Sequence, residues 1–258
     1  MTDSDGVGPT RDEVDARVVA EYRVTPLSEA MARRLDLLWR GQPPRERGRK
    51  PRFTLDEVVE AGIRVADASG LSGVTMRAVA KDLGAGAMSL YTYVPGRDEL
   101  VDLMIDRVHA DLALPDGSGP WRAEVEALGA ELVDLHTTHP WLLDVPQWRL
   151  PLAPRVMDVE ESLLRALSST GIPAERVAAV IQLLATLLRG AARAALQERA
   201  AGDSTDDYWQ SLSAFWTEYF DVDRYPTMSR IWMEGGFEAD QADLNRTLAP
   251  LLDGLEDR

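Results

Sequence analysis

A short uncharged stretch, residues 86–93, carries hydroxyl groups and small side chains at helical spacing. Its expected outer face consists of Gly86, Ala87, Ser89, Thr92 and Tyr93. Hydroxyl groups can hydrogen-bond base edges in the major groove of DNA, and small apolar groups can contact thymine methyl groups. A helix without carboxylates on its outer face can enter that groove without electrostatic repulsion. Gly86 and Ala87 offer no side-chain donor, so we also expect specificity from DNA shape.

Donors that suit phosphate oxygens flank this face in the sequence. They are Thr75, Arg77, Tyr91 and Arg97. A densely basic stretch precedes them, and its cations include Arg47, Arg49, Lys50 and Arg52. Taken alone, this Pro- and Arg-rich stretch is equally typical of a solvated linker. Beside a DNA-reading helix, it could serve as a weakly specific minor-groove arm.

The charge distribution agrees with a small DNA-binding section on an acidic protein. The 258-residue chain has 28 basic and 43 acidic residues, a net charge of −15. Residues 1–44 carry −2, residues 45–97 carry +3, and residues 98–258 carry −16. Because local charge governs phosphate contact, the acidic total does not exclude a nucleic-acid partner.

The elements that must hold the uncharged face read as a helix–turn–helix. Thr54 and Glu57 form a capping-box pattern before a helix over about 55–68. Thr75 caps a short helix over 76–82, and Gly84 suits the left-handed residue of a tight turn. The second short helix covers 86–92, and a further helix covers 97–112. An ordinary pair of packed helices would give the same local pattern.

The rest of the chain also has helical periodicity, and no alternating strand pattern is found. The sequence therefore predicts an all-α protein in three parts. They are a flexible extension over 1–50 with a short helix at 26–40 and a disordered start at 1–24, a three-helix DNA-binding domain over 51–100, and a helical body over 101–258. Body helices are expected at about 121–138, 153–170, 174–200, 205–220 and 237–255.

The body contains side chains that could line an apolar ligand cavity. The candidates are His109, Trp121, Leu128, Leu132, Trp141, Trp148 and Leu184, with Trp209, Trp216 and Trp232 as further aromatic residues. Plain core packing is the alternative for each of them. His136 and His139 lie at metal-compatible spacing, but no third ligand is evident and a helix-end role is the simpler interpretation.

Composition and motifs exclude several function classes. The chain has no cysteine and three histidines, which excludes disulfides, thiol nucleophiles and cysteine-held metal sites. No nucleophile elbow, zinc-protease motif or phosphate-binding loop is present, so we expect no enzymatic activity. The polar acidic start and the lack of a long uninterrupted apolar run favour a cytoplasmic protein without a membrane partner.

The stretch from Phe53 to Leu112 resembles the DNA-binding domain of the tetracycline-repressor (TetR) family. The matching phrases are 63–71 (IRVADASGL), 75–80 (TMRAVA) and 90–100 (LYTYVPGRDEL), with Arg97 in the place of the family's usual Lys. The resemblance implies phosphate contacts by Thr75, Tyr91 and Arg97. It also implies base contacts from the face at 86–93.

The body resembles the tetracycline-repressor type of ligand-binding domain through shorter phrases at 121–122, 139–141 and 251–256. The resemblance implies a homodimer, with an interface on the helices at 174–200 and 237–255. It also implies a bacterial transcriptional regulator, most simply a repressor, which a small molecule releases from double-stranded operator DNA. A helical small-molecule-binding or interaction protein without DNA binding is the alternative.

The expected effector differs from tetracycline. By gapless counting, the family's tetracycline- and magnesium-contacting positions fall near Ala113, Leu128 and Pro146, which can neither coordinate nor donate through their side chains. The sequence therefore predicts a more apolar effector, with no metal and no other cofactor. It names neither the effector, the operator nor the target genes.

Overall fold

The computed structural model describes residues 8–21, 24–41, 52–201, 205–237 and 244–256, and the regular structure within these ranges is helical. The α-helices in chain order are α1 Arg11–Glu21, α2 Glu29–Arg40, α3 Leu55–Gly73, α4 Met76–Asp82, α5 Ala87–Leu90, α6 Arg97–His109, α7 Trp121–Thr138, α8 Pro154–Ser168, α9 Ala174–Ala201, α10 Thr205–Ser211, α11 Phe215–Glu218, α12 Pro226–Met233 and α13 Leu244–Glu256. Two 3₁₀ segments, Pro140–Asp144 and Gln147–Arg149, lie between α7 and α8. The predicted all-α fold class is confirmed.

Threonine caps begin α3 and α4 where the sequence predicts them. The Thr54 amide donates to the Glu57 carboxylate at 2.7 Å, and Thr54 Oγ1 accepts from the Glu57 amide at 3.1 Å. Thr75 Oγ1 accepts from the Ala78 amide at 3.1 Å. Each cap satisfies amides that a helix start leaves without partners. Helix α3 is kinked at Gly70, whose φ of 70° and ψ of 173° are not helical, so its long first part ends close to the predicted residue 68 and one further turn follows the kink.

The turn between α4 and α5 depends on Gly84, whose φ of 61° lies in the left-handed region that glycine tolerates. Helix α5 is shorter than predicted, and hydrogen-bonded turns replace its last part: the amides of Tyr93 and Val94 both donate to the Leu90 carbonyl. Leu90 and Val94 have no exposed surface. These two side chains therefore anchor α5 to the core.

Helix α6 joins the two parts of the molecule, which we call the head (α3–α5) and the body (α7–α9 and α13). It packs on α3 and on α8. At the α3 crossing, a Cβ added to Gly62 would lie 2.7 Å from Met104 Sδ. A side chain at position 62 would therefore require Met104 to move. The predicted domain boundary between residues 100 and 101 falls inside α6.

The body is built around α7, α8 and α9, and α13 packs on α7. Its buried side chains form one hydrophobic core with those of the head. Helix α9 is long and apolar enough, by length and composition alone, to span a membrane. Arg189 and Arg193 are charged residues within this apolar helix, and both donate hydrogen bonds to carbonyls of the segment after α7. Helix α9 packs on α7 and α8 through one face, and Leu183 is exposed on it.

Three regions differ from the sequence-based expectations. Disorder was expected over residues 1–24, but residues 11–21 form α1, stabilised by Arg11–Asp15 and Arg17–Glu21 ion pairs one turn apart. The expected helix over 205–220 is divided into α10 and α11, and α12 was not predicted. Helices α10–α12 bury none of their described side chains. The apolar spacing that predicted a helix over 205–220 therefore corresponds to no buried face.

Leu90→Ala should lower the free energy of unfolding by about 2–5 kcal/mol, because it leaves a cavity beneath α5. Chemical denaturation monitored by circular dichroism measures this change. Met88→Ala is the control: Met88 is 80% exposed, so its substitution should stay within about 0.5 kcal/mol of the wild type. Equal losses in the two variants would contradict the assigned packing.

Candidate DNA-binding surface and ligand-binding body

The outer face of α5 is exposed and carries no charge. Gly86, Ser89 and Thr92 are exposed, and Ala87 is partly buried. Met88 is the most exposed large side chain of this face, at 80%. These residues form a narrow ridge that projects from the head, which we call the α5 ridge. Its size and neutrality fit the requirement for entering a major groove.

The two hydroxyl groups of the α5 ridge are held by the backbone. Ser89 Oγ donates to the Gly86 carbonyl at 2.6 Å, and Thr92 Oγ1 donates to the Ser89 carbonyl at 2.7 Å. A hydroxyl that donates in this way retains acceptor capacity on its oxygen. Both side chains can therefore accept from base amino groups, or rotate to donate.

Four exposed side chains beside the ridge can contact phosphates. Thr75, Arg77, Tyr91 and Lys81 are all exposed. The sequence analysis named the first three and missed Lys81, as it missed Met88 on the ridge itself. Helical periodicity could have indicated both, because each falls on the solvent side of its short helix, but Lys81 is charged and Met88 is apolar, unlike the polar uncharged residues of the predicted face.

Tyr93 does not belong to the base-reading face, which corrects its predicted role. Its side chain is 7% exposed, and its hydroxyl accepts from the Phe53 amide at 3.1 Å. The rings of the two residues pack edge to face, with centroids 6.4 Å apart. The predicted helix over 86–92 gives way to turns after Leu90, and this change of direction points Tyr93 inward.

The Arg97 side chain is 40% exposed and donates to backbone carbonyls of the head, and its contact with phosphate stays a prediction. Its Nε donates to the Val74 carbonyl and its Nη2 to the Leu71 carbonyl, both at 2.7 Å. Nη1 lies 3.6 Å from the Asp98 carboxylate. Arg97 therefore ties the start of α6 to the end of α3.

The predicted basic arm falls largely outside the described residues. Arg47, Arg49 and Lys50 lie in 42–51, so their role stays a prediction. Arg52 is described and exposed, and its guanidinium carbon lies 5.0 Å from the centroid of the Phe53 ring. This contact is a cation–π arrangement at the entrance to α3.

The predicted ligand-binding residues fall into two groups. Leu128, Leu132 and Leu184 are buried in the core, and Trp121 packs against it. Trp148 is 84% exposed, which corrects its predicted place in a cavity. Trp209, Trp216 and Trp232 are also exposed, at 53%, 43% and 62%. Those four tryptophans therefore line no enclosed cavity within this protomer.

Trp141 is buried, but it connects the body to the head. Its indole Nε1 donates to Asp67 Oδ1 at 2.9 Å, and His139 Nδ1 lies 2.8 Å from the same oxygen. Asp67 belongs to α3, so both contacts cross from body to head. A pocket of about 360 Å³ lies at this junction, lined by Trp141, Asp67 and Gly70 together with residues of α9 that include Arg193 and Gln197.

The two histidines at metal-compatible spacing bind other groups of the protein. His136 Nδ1 donates to the Leu132 carbonyl at 2.5 Å, while His139 binds Asp67. Among the residues that the structure describes, no three His, Asp or Glu side chains are grouped to hold a metal ion. His109, the remaining histidine, is 8% exposed, and its Nδ1 lies 2.7 Å from the Ile105 carbonyl.

Comparison with known proteins identifies the family. Residues 114–258 match the family model of the tetracyclin repressor-like C-terminal domain. The chain is 41% identical over 233 residues to the HTH-type transcriptional repressor DrrR1 of Streptomyces coeruleorubidus, covering 88% of this chain and 86% of that relative. This chain belongs to the TetR family of transcriptional regulators.

Solved structures of TetR-family proteins share its fold. The ActR protein of Streptomyces coelicolor in complex with actinorhodin is 26% identical, with a TM-score of 0.66 over 80% of this chain and 96% of that one. BioQ with its double-stranded DNA operator is 20% identical, with a TM-score of 0.50 over 58% of this chain and 89% of that one. The second likeness concerns the fold alone.

Two histidines, the partly buried His136 on α7 and the buried His109 on α6, have lowered pKa values. Burial lowers the pKa of His136 from 6.5 to about 4, and burial also lowers the pKa of His109. The nearby Arg189 guanidinium adds to the effect on His136. Both imidazoles therefore meet the apolar core as uncharged groups.

His136→Gln should flatten the pH dependence of stability between pH 6.5 and pH 4. In the wild type, the unfolded chain takes up a proton on His136 below its ordinary pKa of 6.5, whereas the folded chain does so only near pH 4. The free energy of unfolding therefore falls as the pH decreases through this range, by up to about 1.4 kcal/mol per pH unit from this group.

Urea denaturation at pH 4.5, 5.5 and 6.5 measures the two slopes. Burial raises the pKa of Asp102 and Asp106, and these carboxyl groups contribute with the opposite sign. Subtracting the slope of the variant from that of the wild type removes their contribution. Identical slopes of unfolding free energy against pH in the wild type and His136→Gln would contradict the neutral state of the partly buried His136.

Proposed function

We propose that the protein is a dimeric operator-binding repressor that an apolar organic molecule releases from DNA. The observation that carries the proposal is the α5 ridge, which is exposed, uncharged and anchored from below by Leu90. Selection of bound duplexes from random DNA, with and without candidate small molecules, tests it. Recovery of a two-fold symmetric sequence supports the proposal, and recovery of no preferred sequence contradicts it.

Electrostatics restrict DNA contact to the head. Residues 98–258 carry a net charge of −16, so the body repels phosphate, whereas residues 45–97 carry +3. Arg77 and Lys81 lie on the exposed side of α4, next to the α5 ridge. The field of the whole chain therefore favours one docking orientation, with the head on the duplex and the body turned away.

An apolar face of α9 and α13 supports dimer formation. Leu183 on α9 is 56% exposed. Leu183, Val180, Leu251 and Leu255 line a pocket of about 330 Å³ between the two helices. The same two helices were predicted as the interface from the sequence. A two-fold dimer through this face would present two heads to two half-sites of an operator.

The effector site is proposed within the body, between α7 and α9. Leu128 and Leu132 on α7 and Leu184 on α9 are buried in one core, so a ligand must displace these helices to enter. ActR, a structural neighbour, holds actinorhodin in its solved complex. A large apolar molecule fits this leucine-rich site better than a metal chelate does.

Release follows if the ligand favours a different position of α6. Helix α6 packs on α8 of the body and on α3 of the head, and Arg97 fastens it to the head. A ligand can shift this equilibrium only by its difference in affinity for the two arrangements. The proposal includes neither enzymatic activity nor a metal cofactor, and it places the protein with the DNA in a bacterial cytoplasm.

Tyr91→Phe should weaken binding to all duplexes by about tenfold or more, because it removes one hydrogen bond to a charged phosphate. Fluorescence anisotropy with a selected duplex and with an unrelated duplex measures both affinities. Thr92→Val should instead change the preferred sequence, since Thr92 lies on the α5 ridge. The control is Tyr225→Phe, a comparably exposed tyrosine outside the head, directly before α12. Unchanged DNA affinity in Tyr91→Phe would contradict the phosphate role.

Leu183→Glu should convert the dimer to a monomer, because it places a carboxylate in an apolar interface. Light scattering should give about 57 kDa for the wild type, twice the 28.5 kDa of one chain. Met157→Glu, at a partly exposed position on α8, is the control and should stay dimeric. A monomeric wild type, or a dimeric Leu183→Glu variant, would show that this face is not the interface.

A further inference from the structure

Two neighbouring arginines of α2 have different environments. The Arg33 side chain is 73% exposed and pairs with Glu29 on the same helix. The Arg34 side chain is 20% exposed, and its Nε donates to Asp102 Oδ2 on α6. The two partners are 68 positions apart in the sequence. Helix α2, which precedes the head, is therefore docked on α6 by a largely buried ion pair.

Asp102 is the point where three parts of the chain meet. Its side chain is 1% exposed. Arg34 approaches it from α2, and Arg149, in the segment before α8, lies 3.7 Å from Oδ1. Arg149 also lies 3.4 Å from Asp98, one turn earlier on α6. Within the described residues, Oδ1 accepts no hydrogen bond, so the charge of Asp102 depends on these two cations.

Trp39 supplies a second anchor for α2, on the body. Its indole Nε1 donates to the Leu152 carbonyl at 2.9 Å, across 113 positions of sequence. Leu152 lies two positions before the start of α8, and Leu37 packs against the common core. One face of α2 thus spans from α6 to the start of α8. Displacing α6 along the body would break the contact of Arg34 or that of Trp39.

We propose that α2 is an intramolecular brace that fixes α6 against the body and thereby sets the position of the DNA-reading head. Arg34 and Trp39 are its positioning residues. The effect on the head rests on the proposed function, because it requires that the head binds an operator. Arg97 transmits the constraint, since it fastens the braced helix to the carbonyls of Leu71 and Val74.

The chemistry of the Arg34–Asp102 pair makes the brace testable. Removing one partner of a buried ion pair leaves an uncompensated charge and is strongly destabilising. Replacing both partners with apolar residues of similar volume is often tolerated. A single substitution at Arg34 should therefore release α2, and a double substitution should allow it to dock again through apolar contact.

The experiment compares Arg34→Leu with Arg33→Leu in the full-length dimer. Hydrogen–deuterium exchange should show at least tenfold faster amide exchange within residues 97–109 of Arg34→Leu, and wild-type rates in Arg33→Leu. Anisotropy with a selected duplex should show at least a threefold loss of operator affinity in Arg34→Leu alone. Trp39→Phe, which keeps the ring and removes the indole donor, should change both quantities in the same direction by a smaller factor.

The Arg34→Leu/Asp102→Leu variant should restore both quantities towards the wild type. Wild-type exchange in Arg34→Leu, or faster exchange with unchanged operator affinity, would overturn the proposal. If Arg34→Leu does not fold, amide exchange and operator affinity of Trp39→Phe test the proposal instead. A wild type that binds no DNA would contradict the proposed function, and the exchange rates would then test the bracing of α6 alone.

Discussion

The head can read DNA only if one face of a single-turn helix is held rigidly from below while the opposite face stays free of charge. Leu90 and Val94 satisfy the first condition, because both are fully buried beneath α5. Gly84 allows the tight turn that brings α5 onto α4. The second condition is met by a ridge whose largest side chain is the uncharged Met88. Because α5 is too short to be stable alone, the whole binding surface depends on this packing.

Contacts of α6 and of Asp67 connect the body to the head. Helix α6 crosses α3 at Gly62, where an added side chain would have to displace Met104, and Arg97 holds the first turn of α6 to the head. Asp67 receives hydrogen bonds from His139 and Trp141 of the body. Tightly packed contacts of this kind favour discrete arrangements over gradual deformation. In the proposed release mechanism, a change in the body would therefore reach the head as a change of position.

Sequence patterns predicted the local elements better than the roles of particular side chains. Caps such as Thr54 and the left-handed Gly84 are encoded within a few residues, so they could be read directly. Tyr93 was misassigned, because its burial depends on contact with Phe53, which is distant in the sequence. The hydrogen bond from Trp141 to Asp67 joins equally distant residues and could not be read from the sequence, although Trp141 does line a pocket. The sequence likewise did not identify α6 as the docking site of α2, since the ion pair between them joins residues 68 positions apart. The ligand-binding role of the buried leucines stays a prediction.

Methylation interference on a selected duplex tests the entry of the α5 ridge into the major groove most directly. The method reports guanine N7 in the major groove and adenine N3 in the minor groove, and these positions distinguish the two grooves. The account predicts interference at guanine N7 in two clusters about one helical turn apart, one for each head of the dimer. Interference confined to adenine N3, or one cluster only, would contradict it.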